Sequence, residues 1–390
     1  MAENPPQSQL PADETHLKTA QLDTTKLKTT GNETIQPEAN STQANGSKTS
    51  DLRNLRATAD HPAAGPGLSS AEGTDKDDDD PEIARMLAAL KSIVIPDDWL
   101  PLPVDPNTTN PVTRAYRYHG MVLLNVHLLC GSLQHWAQFR GRPSDVIVAS
   151  FPKSGTTWLQ EIVWRVVHRE TGAQSGGGRT LEYRFPLLDL PATERMAMTP
   201  LHEMESPRLI KTHLMYHLLP ESVHTSGAKV LYVSRDPRDV CVSYYHFQRM
   251  VDYERYRGTF AEFRDKFVRG EVMNGPYREH VRGYRDHSDH VLCLTYEELH
   301  EDRVAAVLRV AEFLDKPLTQ EEAQAIAIHT DFENMKKNPG CNFKHWEQTQ
   351  MVKTTDEGTF MRKGQVGDWR NYFTEEENNA FMKWANEPIQ

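Results

Sequence analysis

Eight consecutive residues, Phe151-Pro152-Lys153-Ser154-Gly155-Thr156-Thr157-Trp158, could hold an anion. They follow an apolar run, DVIVASF over 145–151, and open a helix-like stretch, WLQEIVWRVVHRE. A strand–loop–helix of this kind points backbone N–H groups and the positive end of the helix dipole at a phosphate. Gly155 lets the backbone approach closely, Thr156 and Thr157 add hydroxyl donors, and Lys153 adds a point charge. The Lys precedes the Gly, so this is not the nucleotide-triphosphatase loop G-x-x-x-x-G-K-[ST], and the usual Mg²⁺ partners are missing. The plainer reading is an ordinary strand–helix turn capped by Ser or Thr. A second candidate is His213, in the K-T-H that ends SPRLIKTHL at 206–214. A neutral imidazole can take a proton near pH 7. A His among 17 is ordinarily a surface or satisfied core residue. The place of His213 after a strand, in a chain with a phosphate loop, sets it apart. Lys211, two residues earlier, shares its strand face.

The elements that must carry these residues alternate. Strands are expected at 145–151, 206–214 (as an edge), 228–236 and 290–299. Helices are expected after Trp158, from PRDVCVSYYHFQRM and over 303–314. Continuous Val, Ile and Leu runs imply strands covered on both faces, as in a parallel sheet. The fold class is therefore α/β: a single domain with a central parallel sheet flanked by helices and a P-loop-like phosphate-binding turn. No internal repeat is visible.

The strings FPKSGTTW, RLIKTHL, YVSRDPRDVCVSYYHF, TYEEL, HTDFENMKKNP and FMRKG occur in that order. Together they resemble the successive signatures of the cytosolic sulfotransferases, over roughly residues 112–386. The resemblance implies transfer of a sulfuryl group from 3′-phosphoadenosine-5′-phosphosulfate (PAPS) to a hydroxyl or amine, without a metal. It implies that residues 153–158 surround the donor's 5′-phosphate. Arg235 and Ser243 match the family's 3′-phosphate pair, with Arg362, Lys363 and Gly364 as a second clamp. Trp158, Tyr296, Thr330 and Phe332 match its adenine contacts. His213 matches the general base and Lys153 the group that steadies the leaving oxygen. Ser243 is expected to bond Lys153 before the acceptor arrives, and Lys211 and Phe247 to face the acceptor. Leu124, Leu129, Leu187 and Leu188, with Phe247, suggest a hydrophobic acceptor pocket, which favours phenols, steroids and alcohols over carbohydrate. Alternatives are a catalytically weak nucleotide-binding regulator, a P-loop kinase, and an enzyme in which sulfation drives elimination. Tyr244 and Tyr245 read as structural, and His202, His217 and His246 as non-catalytic.

Composition bounds the rest. The 390 residues carry a net charge of −11. Residues 1–110 hold nine Lys and Arg against eighteen Asp and Glu, and no aromatic residue precedes Trp99. Residues 1–80 read as a disordered acidic extension. Residues 81–111 read as a short helix (81–95) and a Pro-rich connector, and 112–390 as the catalytic domain. An acidic chain does not suit general nucleic-acid binding. No run of about 18 apolar residues suggests a membrane span, and no basic-then-apolar opening suggests a secretory signal, so a cytoplasmic protein is expected. Cys130, Cys241, Cys293 and Cys341 lack metal or disulfide spacing and read as small buried hydrophobes. The family's dimer-contact motif is altered: Arg370, Thr374, Glu375 and Asn379 stand there. Glu375 replaces an apolar residue, which leaves homodimerisation by that route in doubt.

Overall fold

The structure, a computed structural model, describes residues 94–191, 199–251, 253–348, 352 and 359–389. The arm read over 1–80 and the helix read over 81–95 lie outside these residues, apart from Val94 and Ile95, which belong to no regular element. The central sheet contains β4 (Val146–Ser150), β5 (Leu209–Thr212), β6 (Lys229–Ser234) and β7 (Val291–Thr295). Its strands are parallel and run in the order β5-β4-β6-β7. Each strand came from an apolar run in the sequence, and each is trimmed by one to four residues at its ends.

Both faces of the sheet are covered, for the reason the apolar runs suggested. Ile147, Ala149, Ile210, Val230 and Tyr232 face one core layer. The alternate residues Val146, Val148, Leu209, Leu231 and Val233 face the other. A strand's period of two splits one continuous run between two cores. The helix Thr156–His168 packs in the second layer through Leu159, Ile162 and Val163. The helix Pro237–Met250 packs in the first through Val240, Cys241 and Tyr244. Of the four cysteines, Cys241 and Cys341 are buried and Cys130 and Cys293 half-buried, all as free thiols.

The chain passes from β4 to β5 on one side, then crosses to β6 on the other. Loops leaving the carboxyl ends of such strands splay apart at this reversal and open a crevice, where ligands bind in open α/β sheets. β5 is the outer strand, but its far edge is not bare. Leu188 N–H donates to Lys211 O (2.8 Å) and Lys211 N–H to Pro186 O (3.0 Å).

Packed structure begins before residue 112. A small antiparallel sheet joins β1 (Trp99–Pro101), β2 (Ala115–Tyr118) and β3 (Met121–Leu124), with Trp99 opposite Tyr118. Trp99 is 2% exposed. The prolines after it stiffen a segment that is part of the body, because Trp99 has a core to enter. Near the other end, Thr374 and Glu377 form a capping box on the helix Glu375–Asn386. Arg370, Glu375 and Asn379 are exposed. Glu375 lies in that helix's first turn, where the dipole favours an acid.

Candidate active site

β4, β5, β6 and β7 end at Ser150, Thr212, Ser234 and Thr295, so Lys153, His213, Arg235 and Tyr296 all leave the same edge of the sheet. In the loop after β4, Lys153 and Gly155 take left-handed backbone angles, φ 68° and 114°. A Cβ on Gly155 would stand 2.8 Å from the Tyr296 ring, so only glycine suits. The first N–H groups of the helix Thr156–His168 have no partner within the helix. Ser154 is fully buried, and its hydroxyl has no partner among the described residues. Thr156 is tied to the strand, Oγ1 to Ser150 Oγ at 2.5 Å.

The Lys153 ammonium lies 4.6 Å from the Phe247 ring centroid and 4.0 Å from that of Phe360. It lines a small pocket with Ser243 and Arg362. Burial pushes its pKa down to about 7, helped by the positive charges of Lys211, Arg235 and Arg362. No hydrogen bond joins Lys153 to Ser243 among the described residues. The two rings hold the ammonium instead.

The other cations converge on the same edge, each steadied by an acid. The Arg235 guanidinium sits 4.2 Å from the Tyr296 ring centroid and donates from Nη2 to Gln365 O at 2.7 Å. Asp239 lies 3.6 Å away. Arg235 Nε is buried without a partner among the described residues. Arg362 and Lys363 each donate to Asp368 at 2.6 Å. Burial works against ionisation of Asp368, but the bonds from Lys363, Arg362 and Asn371 prevail and hold it at about 2. Trp158 meets Tyr296 edge-to-face at 5.2 Å, and its indole N–H is also buried without a partner among the described residues. Gly364 (φ 65°) lies against Phe332, where a Cβ would come within 2.0 Å of the ring. Thr330 is buried, with Oγ1 donating to Ile326 O at 2.8 Å. An orphaned hydroxyl, guanidinium N–H and indole N–H, with two glycines that admit no side chain, suit a ligand combining anionic groups with a flat ring.

Just after β5, His213 is held from three sides. Its Nδ1 lies 2.7 Å from Ser150 O. A carbonyl only accepts, so Nδ1 carries the proton and Nε2 keeps the lone pair. Its backbone N–H donates to Asp189, 2.9 Å to Oδ2, and its carbonyl accepts from His280 Nε2 at 3.0 Å. His280 accepts in turn at Nδ1 from the Tyr232 hydroxyl, 2.9 Å. Burial sets the His213 pKa well below its ordinary value. The charge of Lys211 adds to this, the bond to Ser150 opposes it, and His280 and Lys153 lower it further. The ring is therefore neutral at pH 7 and basic at Nε2.

Residues 143–390 match the sulfotransferase domain. The chain belongs to the sulfotransferase family. Sulfotransferase 1B1 of the dog is 36% identical over 267 residues, 67% of this chain and 88% of that one. The rabbit amine sulfotransferase is 34% identical over 260 residues, 66% and 85% of the two chains. Among solved structures, retinol dehydratase in complex with androsterone and the inactive cofactor PAP has a TM-score of 0.62 and 27% identity, covering 80% of this chain and 96% of that one. The enzyme is a transferase of the sulfotransferase class.

Several residues of this sulfotransferase's candidate site were not visible in the sequence. Asp189 is 3% exposed and also accepts from Thr212 Oγ1 at 2.6 Å. Burial pushes its carboxyl up to about 6, although its hydrogen bonds and Lys211 oppose the rise. An acid closing the apolar run FPLLDL was the available signal. Asp239 accepts from Gly367 N–H (2.7 Å) and Trp369 N–H (3.0 Å), which anchors the segment carrying Arg362 to Gly364. Phe360 and His280 had no local signal, since their meaning lies in distant partners. The acceptor-side residues are not all gathered. Leu188 is fully buried in the core, whereas Phe247 is half-buried at Lys153. Tyr244 is buried in that core too, with its hydroxyl on Met273 O at 2.9 Å. His246 bonds Tyr372 at 2.7 Å.

Proposed function

We propose that this sulfotransferase moves the sulfuryl group of PAPS to a hydroxyl, or an amine, of a small lipophilic acceptor such as a phenol, steroid or alcohol. The observation that carries the reading is the tautomer of His213. Ser150 O holds the proton on Nδ1, which leaves the lone pair on Nε2, the form a general base needs. His213 Nε2 takes the acceptor's proton while the acceptor oxygen bonds to sulfur. The bond from sulfur to the donor's phosphate oxygen breaks, and Lys153 steadies the charge that grows there. The products are the sulfate ester, PAP and a proton. Ser154, Thr156, Thr157 and the helix N-terminus take the 5′-phosphate. Arg235 and Ser243, with Arg362, Lys363 and Gly364, take the 3′-phosphate. Trp158, Tyr296, Thr330 and Phe332 take the adenine. Lys211 and Phe247 face the acceptor.

The likeness to retinol dehydratase bound to PAP supports the donor. It also favours a second reading, in which the sulfated acceptor then loses sulfate by elimination. We place the reaction in the cytoplasm on kinship with the cytosolic members. We read the chain as not dimerising through the altered contact at Glu375 and Asn379, because an exposed acid there opposes burial. Residues 1–80 are read as an extension outside the catalytic domain.

The test is transfer of labelled sulfate from PAPS to a panel of phenols, steroids, alcohols and a glycan. His213→Ala should lose at least about 100-fold in turnover while still binding PAP. Equal turnover in both proteins would overturn the assignment of the base, and sulfation of the glycan alone would overturn the acceptor class. Mass analysis of the product separates a stable ester from an eliminated one.

A further inference from the structure

A cavity of about 340 Å³ lies between the 102–108 segment, the start of β2 and the helix Phe260–Val268. That is within the size of small-molecule sites, roughly 300–1,000 Å³. It shares no lining residue with the pocket at Lys153. Leu102, Val104, Leu124 and Met273 give it an apolar wall, and Glu254 joins them. Glu254 is 3% exposed, and its Oε2 has no hydrogen-bond partner among the described residues.

The other charges around the cavity are engaged. Asp105 pairs with Lys266 at 2.7 Å, and Glu271 with Arg269 at 2.8 Å. Asp265 pairs with Arg264 at 3.3 Å. Glu262 accepts from the Thr259 N–H at 2.7 Å and hydroxyl at 2.8 Å. Arg114 donates to the carbonyls of Pro111 at 3.0 Å and Thr113 at 2.7 Å. The Tyr244 and Tyr253 phenols feel the charge of Glu254 but, being neutral at pH 7, cannot balance it. Five acids face three bases; Glu262 is met by the hydrogen bonds of its helix cap, and Glu254 is the acid with no ion pair and an unpartnered oxygen among the described residues. A buried carboxylate without a counter-charge is costly, so the wall favours a ligand that brings one.

We propose that this cavity is a second ligand site, which takes a small organic cation: an ammonium for Glu254 on an apolar body for the wall. Burial pushes the Glu254 carboxyl up to about 7, with Lys266 opposing and Asp105 adding to the rise. Binding the cation therefore drives a proton off Glu254 below pH 7, and affinity rises with pH until the acid is ionised.

The test is calorimetric titration of the full chain with phenethylamine and with its neutral counterpart, 2-phenylethanol. The amine should bind about tenfold more tightly at pH 8 than at pH 6, and about tenfold more tightly than the alcohol at pH 8. Glu254→Gln should lose about tenfold in amine affinity and flatten the pH dependence, with cooperative thermal unfolding intact. No amine binding, equal binding of amine and alcohol, or equal binding by E254Q overturns the proposal. If E254Q does not fold, Leu102→Trp, which fills the cavity from its wall, decides instead. Loss of amine binding in L102W supports the site, and undiminished binding overturns it.

Discussion

At the scale of single residues, two titrations follow from the site. His213, as the proposed base, must act in its neutral form, and its pKa is set well below 6.5 by burial first and then by Lys211. Activity that needs the neutral ring is kept above the folded pKa and lost as pH falls through it. The acid limb of kcat/KM should therefore have its midpoint below pH 6.5, and a midpoint at or above that value counts against His213 as the base. Lys153 has the opposite interest. Burial and three neighbouring cations bring its pKa down to about 7. A phosphate beside it would restore the proton, so PAP binding should take up a proton between pH 7 and 9, and affinity should fall as pH rises through that range. Calorimetry in two buffers of different ionisation heat measures the uptake. Proton-neutral binding at pH 8 refutes it.

At the scale of elements, the C-terminal segment that carries Arg362 to Gly364 depends on contacts without slack. A methyl on Gly364 would enter the Phe332 ring, on a backbone already at φ 65°. Gly364→Ala is expected to cost about 1–3 kcal/mol and to weaken PAP binding about tenfold. Thermal unfolding and a PAP titration check both, and an unchanged pair of values would mean the segment is free of Phe332. The same scale explains what could be read in the sequence. β4 to β7 were legible because a strand buried on both faces is one apolar run. β1 to β3 were not, because strands of three or four residues among prolines carry too little pattern. The candidate phosphate loop stood out in the sequence because its residues are contiguous, and the candidate base His213 because K-T-H closes a strand. Asp189, Asp239, Asp368 and His280 were not, since each earns its role from a partner at least several residues away and usually on another element.

At the scale of the whole molecule, buried ion pairs tie the site's scaffold together. Glu161 pairs with Arg165 at 2.8 Å and with Arg184 at 2.9 Å, all with fully buried side chains. This joins the helix that follows the phosphate loop to the segment leading to Asp189. Arg184→Met leaves Glu161 half-compensated and is expected to cost about 3–5 kcal/mol, read as a lowered Tm. An unchanged Tm would show that Arg165 and Ser175 suffice. A wider consequence belongs to Ser150. Its carbonyl holds the His213 ring and its hydroxyl holds Thr156 in the phosphate loop. One strand end thus touches both the proposed base and the candidate phosphate loop. On the proposed roles, base and phosphate loop are coupled through the end of β4, so a change of acceptor preference belongs in the walls further out, where it leaves that strand end untouched.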